Sequence, residues 1–280
     1  MGFLEAVILG LVQGLTEFLP ISSSAHLRIV GEFLPAATDP GATFTAITQI
    51  GTELAVVIYF RRRIGRVIAA WFRSLRPGLV AAARTDPDVR LGWIVIVGTI
   101  PIVLVGYFLQ ETIRGAFRSL WLVAAVLIVF GVLLWLADRL GRRARELEQL
   151  SYPHGLLVGL AQMLALIPGV SRSGASTSAA LALGYTRPAA AEFAFLLAVP
   201  AVFGSGLYEL LTALREPGTS PFGWPETIAA TVVAFVVGLA VIAGLMRYLR
   251  TRSFLPFVLY RLLLGGLLIA LLATGVLQPY

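Results

Sequence analysis

The chain has 280 residues, of which 58% are hydrophobic and only 13% are charged, and it contains no cysteine. Because roughly a quarter of the residues of a soluble domain are charged, this composition indicates an integral membrane protein. The lack of cysteine excludes disulfides, thiolate nucleophiles and cysteine-ligated metals. The formal net charge of +7 does not indicate nucleic-acid binding, because the arginines are grouped in loops between apolar segments, as in proteins oriented in a membrane.

The first apolar region, residues 3–35, is interrupted by the stretch EFLPISSSAH, which begins at Glu17. The proline and the serines leave two apolar halves of about 12 to 16 residues, which is short of the roughly 20 residues that cross a bilayer. A re-entrant hairpin, meaning a helix–loop–helix that enters and leaves on one side, fits these lengths. Three segments of spanning length follow: 44–60, 91–110 and 119–137.

The second half of the chain has the same order of elements. Residues 153–184 form another apolar region, interrupted by IPGVSRSGAS, and three segments of spanning length follow it. We therefore predict an all-α polytopic membrane protein with six transmembrane helices and two re-entrant hairpins, in a single domain of residues 1–280. The second set of spans is 189–213, 226–247 and 254–273.

The two halves also resemble each other in sequence. A shift of 149 positions aligns Gly10 with Gly159, Gln13 with Gln162, and two serines of each interrupted region. Repeat one covers about 1–150 and repeat two about 151–280. Because each copy crosses the membrane an odd number of times, the second copy must be inverted, and inverted repeats place their polar site at the repeat interface.

The copies differ where chemistry is expected. Glu17 of the first copy corresponds to Leu166 of the second, and Ser23 corresponds to Arg172. One hairpin therefore supplies an acid and a hydroxyl, and the other supplies a guanidinium. This asymmetry is the strongest internal indication of a functional site.

The distribution of arginine predicts the orientation. With the loop 61–90 placed in the cytoplasm, 16 arginines lie inside and four outside, which by the positive-inside rule puts both termini outside. The first hairpin then enters from the outside and the second from the inside. The four outside arginines are Arg28, Arg114, Arg118 and Arg215.

Two polar side chains of the first hairpin share a helical face. Gln13 and Glu17 are four residues apart, so both side chains can reach one cavity. A carboxylate at membrane depth is costly and marks a functional site by default, although it also serves as a structural partner for an arginine. A lone histidine is usually only a satisfied polar residue, but His26 follows three serines closely, which makes acid–base or nucleophilic work an alternative.

The serines of both hairpins have two readings. Ser22, Ser23 and Ser24 follow the proline that ends the first half-helix, and serines in such a place commonly cap the next helix. A helix start also presents free N–H groups and a positive dipole end, which attract phosphate. The second hairpin repeats this arrangement and adds Arg172, whose guanidinium suits bidentate phosphate contact or an ion pair with Glu17. Glu53 shares a face with Gln49 and is either an additional acid near the site or a packing partner.

The stretches QGLTEFLPISSSAH and PGVSRSGAS, in this order and in a chain of this size, resemble the two signature motifs of the undecaprenyl-diphosphate phosphatase family, the bacitracin-resistance type. The resemblance covers the whole chain in length and layout. It implies a bacterial plasma-membrane enzyme that removes the terminal phosphate of a C55 polyprenyl diphosphate. This reaction regenerates the lipid carrier for cell-wall polymers and confers resistance to bacitracin. The site of such enzymes is thought to face the periplasmic side.

The resemblance also assigns roles to residues. It marks Glu17, Ser23, His26 and Arg172 as the catalytic set, and it implies a divalent metal, Mg²⁺ or Ca²⁺, with Glu17 and Glu53 as candidate ligands. Gln13 stands where many members have glutamate, which leaves one candidate metal ligand fewer. The residues expected to line the site are Gln13, Ser22, Ser24, Gly169, Ser171 and Ser173.

The expected mechanism is phosphoryl transfer assisted by positioning and charge stabilisation. Ser23 attacks the terminal phosphorus with His26 as general base or proton donor, or else His26 itself attacks. The expected partners are the polyprenyl diphosphate substrate and membrane lipids, and the oligomeric state is open, with a homodimer among the options.

Two rival interpretations come from other classes of protein. Inverted repeats with broken hairpins also describe transporters, so a polyprenyl-phosphate flippase or small-anion carrier is the main rival. The other membrane lipid-phosphatase superfamily needs a distant histidine after its serine–arginine motif. No histidine follows Arg172, which excludes that match.

Overall fold

The computed structural model describes residues 2–34, 40–76, 85–109, 119–215 and 221–278. Over these residues the regular structure is helical, apart from one isolated bridge between Arg145 and Tyr185. In chain order the α-helices are α1 (Phe3–Thr16), α2 (Ser23–Gly31), α3 (Gly41–Tyr59), α4 (Arg61–Ser74), α5 (Pro87–Phe108), α6 (Leu120–Leu140), α7 (Tyr152–Met163), α8 (Arg172–Ala182), α9 (Arg187–Arg215), α10 (Trp224–Leu249) and α11 (Leu255–Ala273).

Six helices of the described chain are long and apolar enough to cross a bilayer, namely α3, α5, α6, α9, α10 and α11. They coincide with the six predicted spans, which are therefore confirmed, with ends that differ by a few residues. The protein is a multi-span helical membrane protein. Parts of some predictions lie outside the described residues: Pro35, Arg84, Gln110, Arg114 and Arg118.

The two interrupted regions each form a pair of short helices. Helix α1 has 14 residues and α7 has 12. At 1.5 Å per residue, neither covers the roughly 30 Å of a bilayer core. The first pair is joined by residues 17–22, and the second by residues 164–171, which include the 3₁₀ turn Leu164–Leu166. The chain is therefore broken at the two proline–serine stretches.

Each short pair packs against a spanning helix of the other half of the chain. Helix α1 lies along α10, and α7 lies along α5, while α3 packs on α9 and α6 on α11. Glycines allow the first two contacts. A Cβ at Gly10 would lie 2.4 Å from the Ala230 carbonyl oxygen, and one at Gly159 would lie 2.3 Å from that of Gly98. Small residues of this kind let membrane helices approach closely.

Helix α4 lies within the segment 61–90, which the sequence predicted to be a loop. Arg63 anchors it to the bundle through Asp88 at 3.6 Å, Glu148 at 2.6 Å and Glu192 at 3.2 Å. The hydrogen bond from Arg63 lowers the pKa of the Glu148 carboxyl below its usual range. This one guanidinium therefore joins α4 to α5, to α9 and to the 3₁₀ turn Leu147–Gln149.

Two adjacent glycines of α11 test the close packing of α11 on α6. A Cβ at Gly265 would lie 2.6 Å from Ile128 Cγ1 and 3.0 Å from the Ala124 carbonyl oxygen, whereas one at Gly266 would meet nothing within 4 Å. We expect Gly265→Leu to destabilise the protein by about 1–3 kcal/mol through overpacking. Gly266→Leu is the matched control and should not lower the melting temperature in detergent. Equal melting temperatures for the two variants would contradict this packing.

Candidate active site

The loops that join the two short helix pairs meet each other. Ser173 Oγ, at the start of α8, lies 3.3 Å from the carbonyl oxygen of Glu17 and 3.2 Å from that of Leu19. The guanidinium of Arg172 forms an ion pair with the Glu17 carboxylate. Residues separated by more than 150 positions in the sequence are therefore in direct contact, and both predicted motifs contribute to one place.

The two loops end in matching helix caps. Ser22 and Ser171 both have a positive φ, 74° and 70°, which is uncommon for residues other than glycine. The Ser22 Oγ accepts from the N–H of Ala25 at 3.4 Å, and the Ser171 Oγ accepts from that of Gly174 at 3.2 Å. Each cap also lies 3.1 Å from the hydroxyl two residues later. The interpretation of these serines as N-caps is confirmed.

The caps leave other donors of the first turn unused. In α2 the cap occupies the N–H groups of Ala25 and His26, so those of Ser23 and Ser24 have no partner within the helix. Helix α8 begins in the same way at Arg172. Ser23 at the start of α2 and Arg172 at the start of α8 both contact the Glu17 carboxylate. Two positive helix ends that share one carboxylate form an arrangement suited to a phosphate anion.

The Glu17 carboxylate contacts three other side chains of the site. Its side chain is only 6% exposed. One carboxylate oxygen pairs with Arg172, and the other accepts from Gln13 Nε2 and Ser23 Oγ, each at 2.6 Å. Its structural role as the partner of an arginine and its place in the site therefore coincide. The Ser23 hydroxyl donates to a carboxylate, which can remove its proton.

His26 is held by both ring nitrogens. Nδ1 lies 2.7 Å from the Ser22 carbonyl oxygen, and Nε2 lies 2.7 Å from the hydroxyl of Tyr260. Because a carbonyl only accepts, Nδ1 carries the hydrogen, and Nε2 of the neutral ring accepts from the tyrosine. The Tyr260 ring also stacks on the imidazole, with centroids 5.5 Å apart. The side chain that accepts from Ser23 Oγ is Glu17. The role of His26 as general base or proton donor stays a prediction.

Tyr260 and Arg261 were not among the residues predicted to form the site. Arg261 is fully buried, and its guanidinium donates to the carbonyls of Pro20 in the first loop and of Gly169 and Val170 in the second. It also donates to Leu127 and Val126 of α6. The signal for Arg261 was present, because an arginine inside an apolar span is costly and needs a partner. Tyr260 gave no comparable signal.

The remaining predicted residues have different surroundings. Gly169 has φ +96°, a Cβ there would lie 2.9 Å from the Val123 carbonyl oxygen, and its own carbonyl binds Arg261. It therefore shapes the loop. Ser24 is exposed and Ser23 is half-buried at the same helix start.

Oxygen atoms without partners lie near Glu17. Glu53 is buried on α3, and the charges of Arg172 and Glu17 act on it. Gln13 Oε1 and Glu53 Oε1 are buried and have no hydrogen-bond partner among the described residues. Within the same residues no group of three His, Cys, Asp or Glu side chains is placed to hold a metal. Carboxylate and amide oxygens are ligands of the kind that a hard cation binds together with phosphate and water.

Together, the six spans and the contact between the two loops define a helical membrane protein with a buried polar site where its two halves meet. The family model described as "Bacitracin resistance protein BacA" matches residues 6–267, and the chain belongs to this family. The family resemblance expected from the two motifs is confirmed.

Similar proteins match over the full chain. An undecaprenyl-diphosphatase of Clavibacter michiganensis subsp. michiganensis is 65% identical, covering 98% of each chain. One of Micrococcus luteus is 64% identical over 99% of this chain and 100% of its own. An undecaprenyl-diphosphatase 2 of Streptomyces coelicolor is 52% identical over 100% of this chain and 98% of its own.

The contact between the Tyr260 hydroxyl and His26 Nε2 can be tested by the rate at which the histidine is chemically modified. Tyr260→Phe keeps the stacked ring but removes the donor to Nε2, so we expect diethyl pyrocarbonate to modify His26 several-fold faster. A His154→Gln background leaves His26 as the single histidine. Tyr248→Phe, which removes a hydroxyl bonded to the Ser253 carbonyl, is the control. An unchanged rate in Tyr260→Phe would show that the hydroxyl does not cover Nε2.

The role of Arg261 predicts a stability effect. Arg261→Met keeps most of the side-chain volume but leaves buried carbonyls of both loops without a donor. Since each such group costs about 1–3 kcal/mol, we expect a loss on the order of 3 kcal/mol or more in unfolding free energy. Thermal unfolding in detergent measures it, with the exposed Arg250→Met as control. A melting temperature equal to that of the control would refute this role.

Proposed function

We propose that this chain is an undecaprenyl-diphosphate phosphatase, which hydrolyses undecaprenyl diphosphate to undecaprenyl phosphate and inorganic phosphate. Membership of the BacA family and the names of the full-length relatives support this activity. The structural observation that carries it is the meeting of two serine-capped helix starts with Arg172 around Glu17 and Ser23. The reaction would recycle a lipid carrier for cell-wall synthesis in the bacterial plasma membrane and confer bacitracin resistance.

The diphosphate binds where positive charge and free donors coincide. The N–H groups at the starts of α2 and α8 bind phosphate oxygens. Arg172 has five N–H donors, so it can keep Glu17 and still bind the anion. The prenyl tail lies among the spanning helices. Phosphoryl transfer depends mostly on such positioning and charge stabilisation.

Ser23 is the nucleophile that the geometry favours. Its Oγ attacks the terminal phosphorus and its proton passes to Glu17, 2.6 Å away. The bond from this phosphorus to the bridging oxygen breaks, and undecaprenyl phosphate leaves with the electron pair. Water then hydrolyses the phosphoserine, which releases inorganic phosphate and returns the proton to Ser23.

His26 keeps an alternative role. Attack by Nε2 would first require Tyr260 to move away, because its hydroxyl occupies that nitrogen at 2.7 Å. With Tyr260 in place, His26 orders the start of α2 through the bond from Nδ1 to the Ser22 carbonyl. Donation of a proton to the leaving oxygen would likewise require Tyr260 to move away and Nε2 to be protonated.

A divalent cation, Mg²⁺ or Ca²⁺, completes the proposal, and when bound it neutralises charge on the diphosphate. Glu17, Gln13 and Glu53 would hold it, because their buried oxygens include two without partners in the described chain. Its remaining ligands would be phosphate oxygens and water.

We also propose that the two short helix pairs are re-entrant hairpins and that the two halves of the chain are an inverted repeat. The exchange of partners, with α1 on α10 and α7 on α5, is the packing that two copies related by a pseudo-two-fold axis would give. The matching serine caps support the same relation. The excess of arginine on one side favours both termini outside and a site open to the outer side.

Transport of polyprenyl phosphate or a small anion is the second candidate function. The same exchange of packing partners favours it, because inverted repeats around a central polar site are typical of transporters. Catalysis in detergent separates the two candidates, since transport across a membrane is impossible there.

The first test is phosphate release from undecaprenyl diphosphate by purified protein in detergent with Mg²⁺ or Ca²⁺. We expect release to stop with EDTA and to fall by at least roughly 100-fold in Ser23→Ala and Arg172→Gln, because these remove the nucleophile and a charge stabiliser. Trapping with labelled substrate should give an acid-stable phosphoserine.

Ser178→Ala is the control, because the one bond of its hydroxyl within the described residues is to the Gly174 carbonyl of the same helix. If trapping gives an acid-labile phosphohistidine instead, the nucleophile is His26 and not Ser23. No release by folded wild-type protein with metal present would overturn the enzyme proposal in favour of transport.

A further inference from the structure

Helix α4 is strongly amphipathic and lies against the spanning bundle. Arg63 faces inward to Asp88, Glu148 and Glu192, which fixes the position of the helix. Ile64, Val67 and Trp71 come from the same helix and face α5 and α9. Its apolar and charged sides therefore have different surroundings, as in helices that lie in the plane of a membrane interface.

The outer side of α4 carries a row of arginines. At about 100° per residue, Arg62, Arg66 and Arg73 lie within about 40° of one another around the helix. All three are exposed. Arg66 touches Asp88 at 3.5 Å while its side chain remains 58% exposed. We call these three residues the outer arginines.

An apolar groove of about 330 Å³ lies between α4, α5 and α9. Its wall is almost wholly hydrocarbon and includes Val67, Trp71, Val95, Ile96 and Val199. This volume is at the lower end of the range for small-molecule sites, which suits one hydrocarbon chain. The buried indole N–H of Trp71, in the wall, has no acceptor among the described residues.

We propose that α4 forms a binding site for an anionic phospholipid, with one acyl chain in the groove and the headgroup phosphate on the outer arginines. The charge of the helix selects the headgroup, because arginines near a membrane surface attract anionic lipid. The apolar wall accepts any acyl chain and supplies no selectivity of its own. An ester carbonyl of the lipid is an acceptor of the kind that Trp71 lacks.

The site is separate from the proposed phosphatase centre. The groove lies beside α4, α5 and α9, and neither α2 nor α8 contributes to its wall. Lipid binding can therefore be measured without substrate and without any phosphatase activity. Failure of either proposal leaves the other standing.

Native mass spectrometry of the purified protein tests the proposal with phosphatidylglycerol and phosphatidylcholine of equal chain length. We expect wild-type protein to retain phosphatidylglycerol preferentially. Replacing all three outer arginines with glutamine should reduce that preference by about tenfold or more. Ile96→Trp, which fills the groove from an exposed position, should reduce retention of both lipids.

The matched control replaces Arg247, Arg250 and Arg252 with glutamine, which removes the same charge from exposed positions in the last turn of α10 and just after it. It should retain the wild-type preference. An equal loss in both triple variants would mean general surface attraction and would overturn the site. A wild-type protein without preference for phosphatidylglycerol would also overturn it. Displacement of phosphatidylglycerol by undecaprenyl phosphate would do the same, because the groove would then bind the prenyl tail. Melting temperatures of all variants show whether they are folded.

Discussion

The architecture of the site depends on one buried guanidinium. Arg261 lies inside a span and donates to backbone carbonyls of both loops and of α6, and these are its acceptors within the described chain. Non-helical backbone at membrane depth is tolerated only if its polar groups are satisfied by protein or water. Both loops turn carbonyls toward this arginine, so the same side chain satisfies the two breaks and holds them together.

The two helix starts have similar backbones but carry different functional groups. The serine caps at 22 and 171 have nearly the same backbone and the same bonding pattern. The following residues differ, with a hydroxyl at Ser23 and a guanidinium at Arg172. Because both helix starts are positive, the negative Glu17 between them stabilises the unliganded site through Arg172, Gln13 and Ser23. An incoming diphosphate would take over part of that role.

Several features could be predicted from the sequence because local physics determines them. Apolar length fixes the six spans, and the proline and serines fix the breaks at both loops. The contact of Glu17 with Arg172 was also within reach, since opposite charges at membrane depth pair. Helix α4 was missed because its mixed arginines and apolar residues were counted as loop charge. The contact of Tyr260 with His26 joins residues 234 positions apart, which a single sequence does not reveal.

The placement of Tyr260 connects the scaffold to the chemistry. It is the residue before Arg261 on α11, so the helix that joins the two loops also covers His26. Tyr260 is 41% exposed, whereas Arg261 is fully buried. Any shift of α11 that moves Tyr260 off His26 must also strain the carbonyl contacts of its neighbour. A side-chain rotation of Tyr260 would free the imidazole without disturbing Arg261. Ser23 needs no such rotation under the proposed mechanism, because its hydroxyl already donates to Glu17.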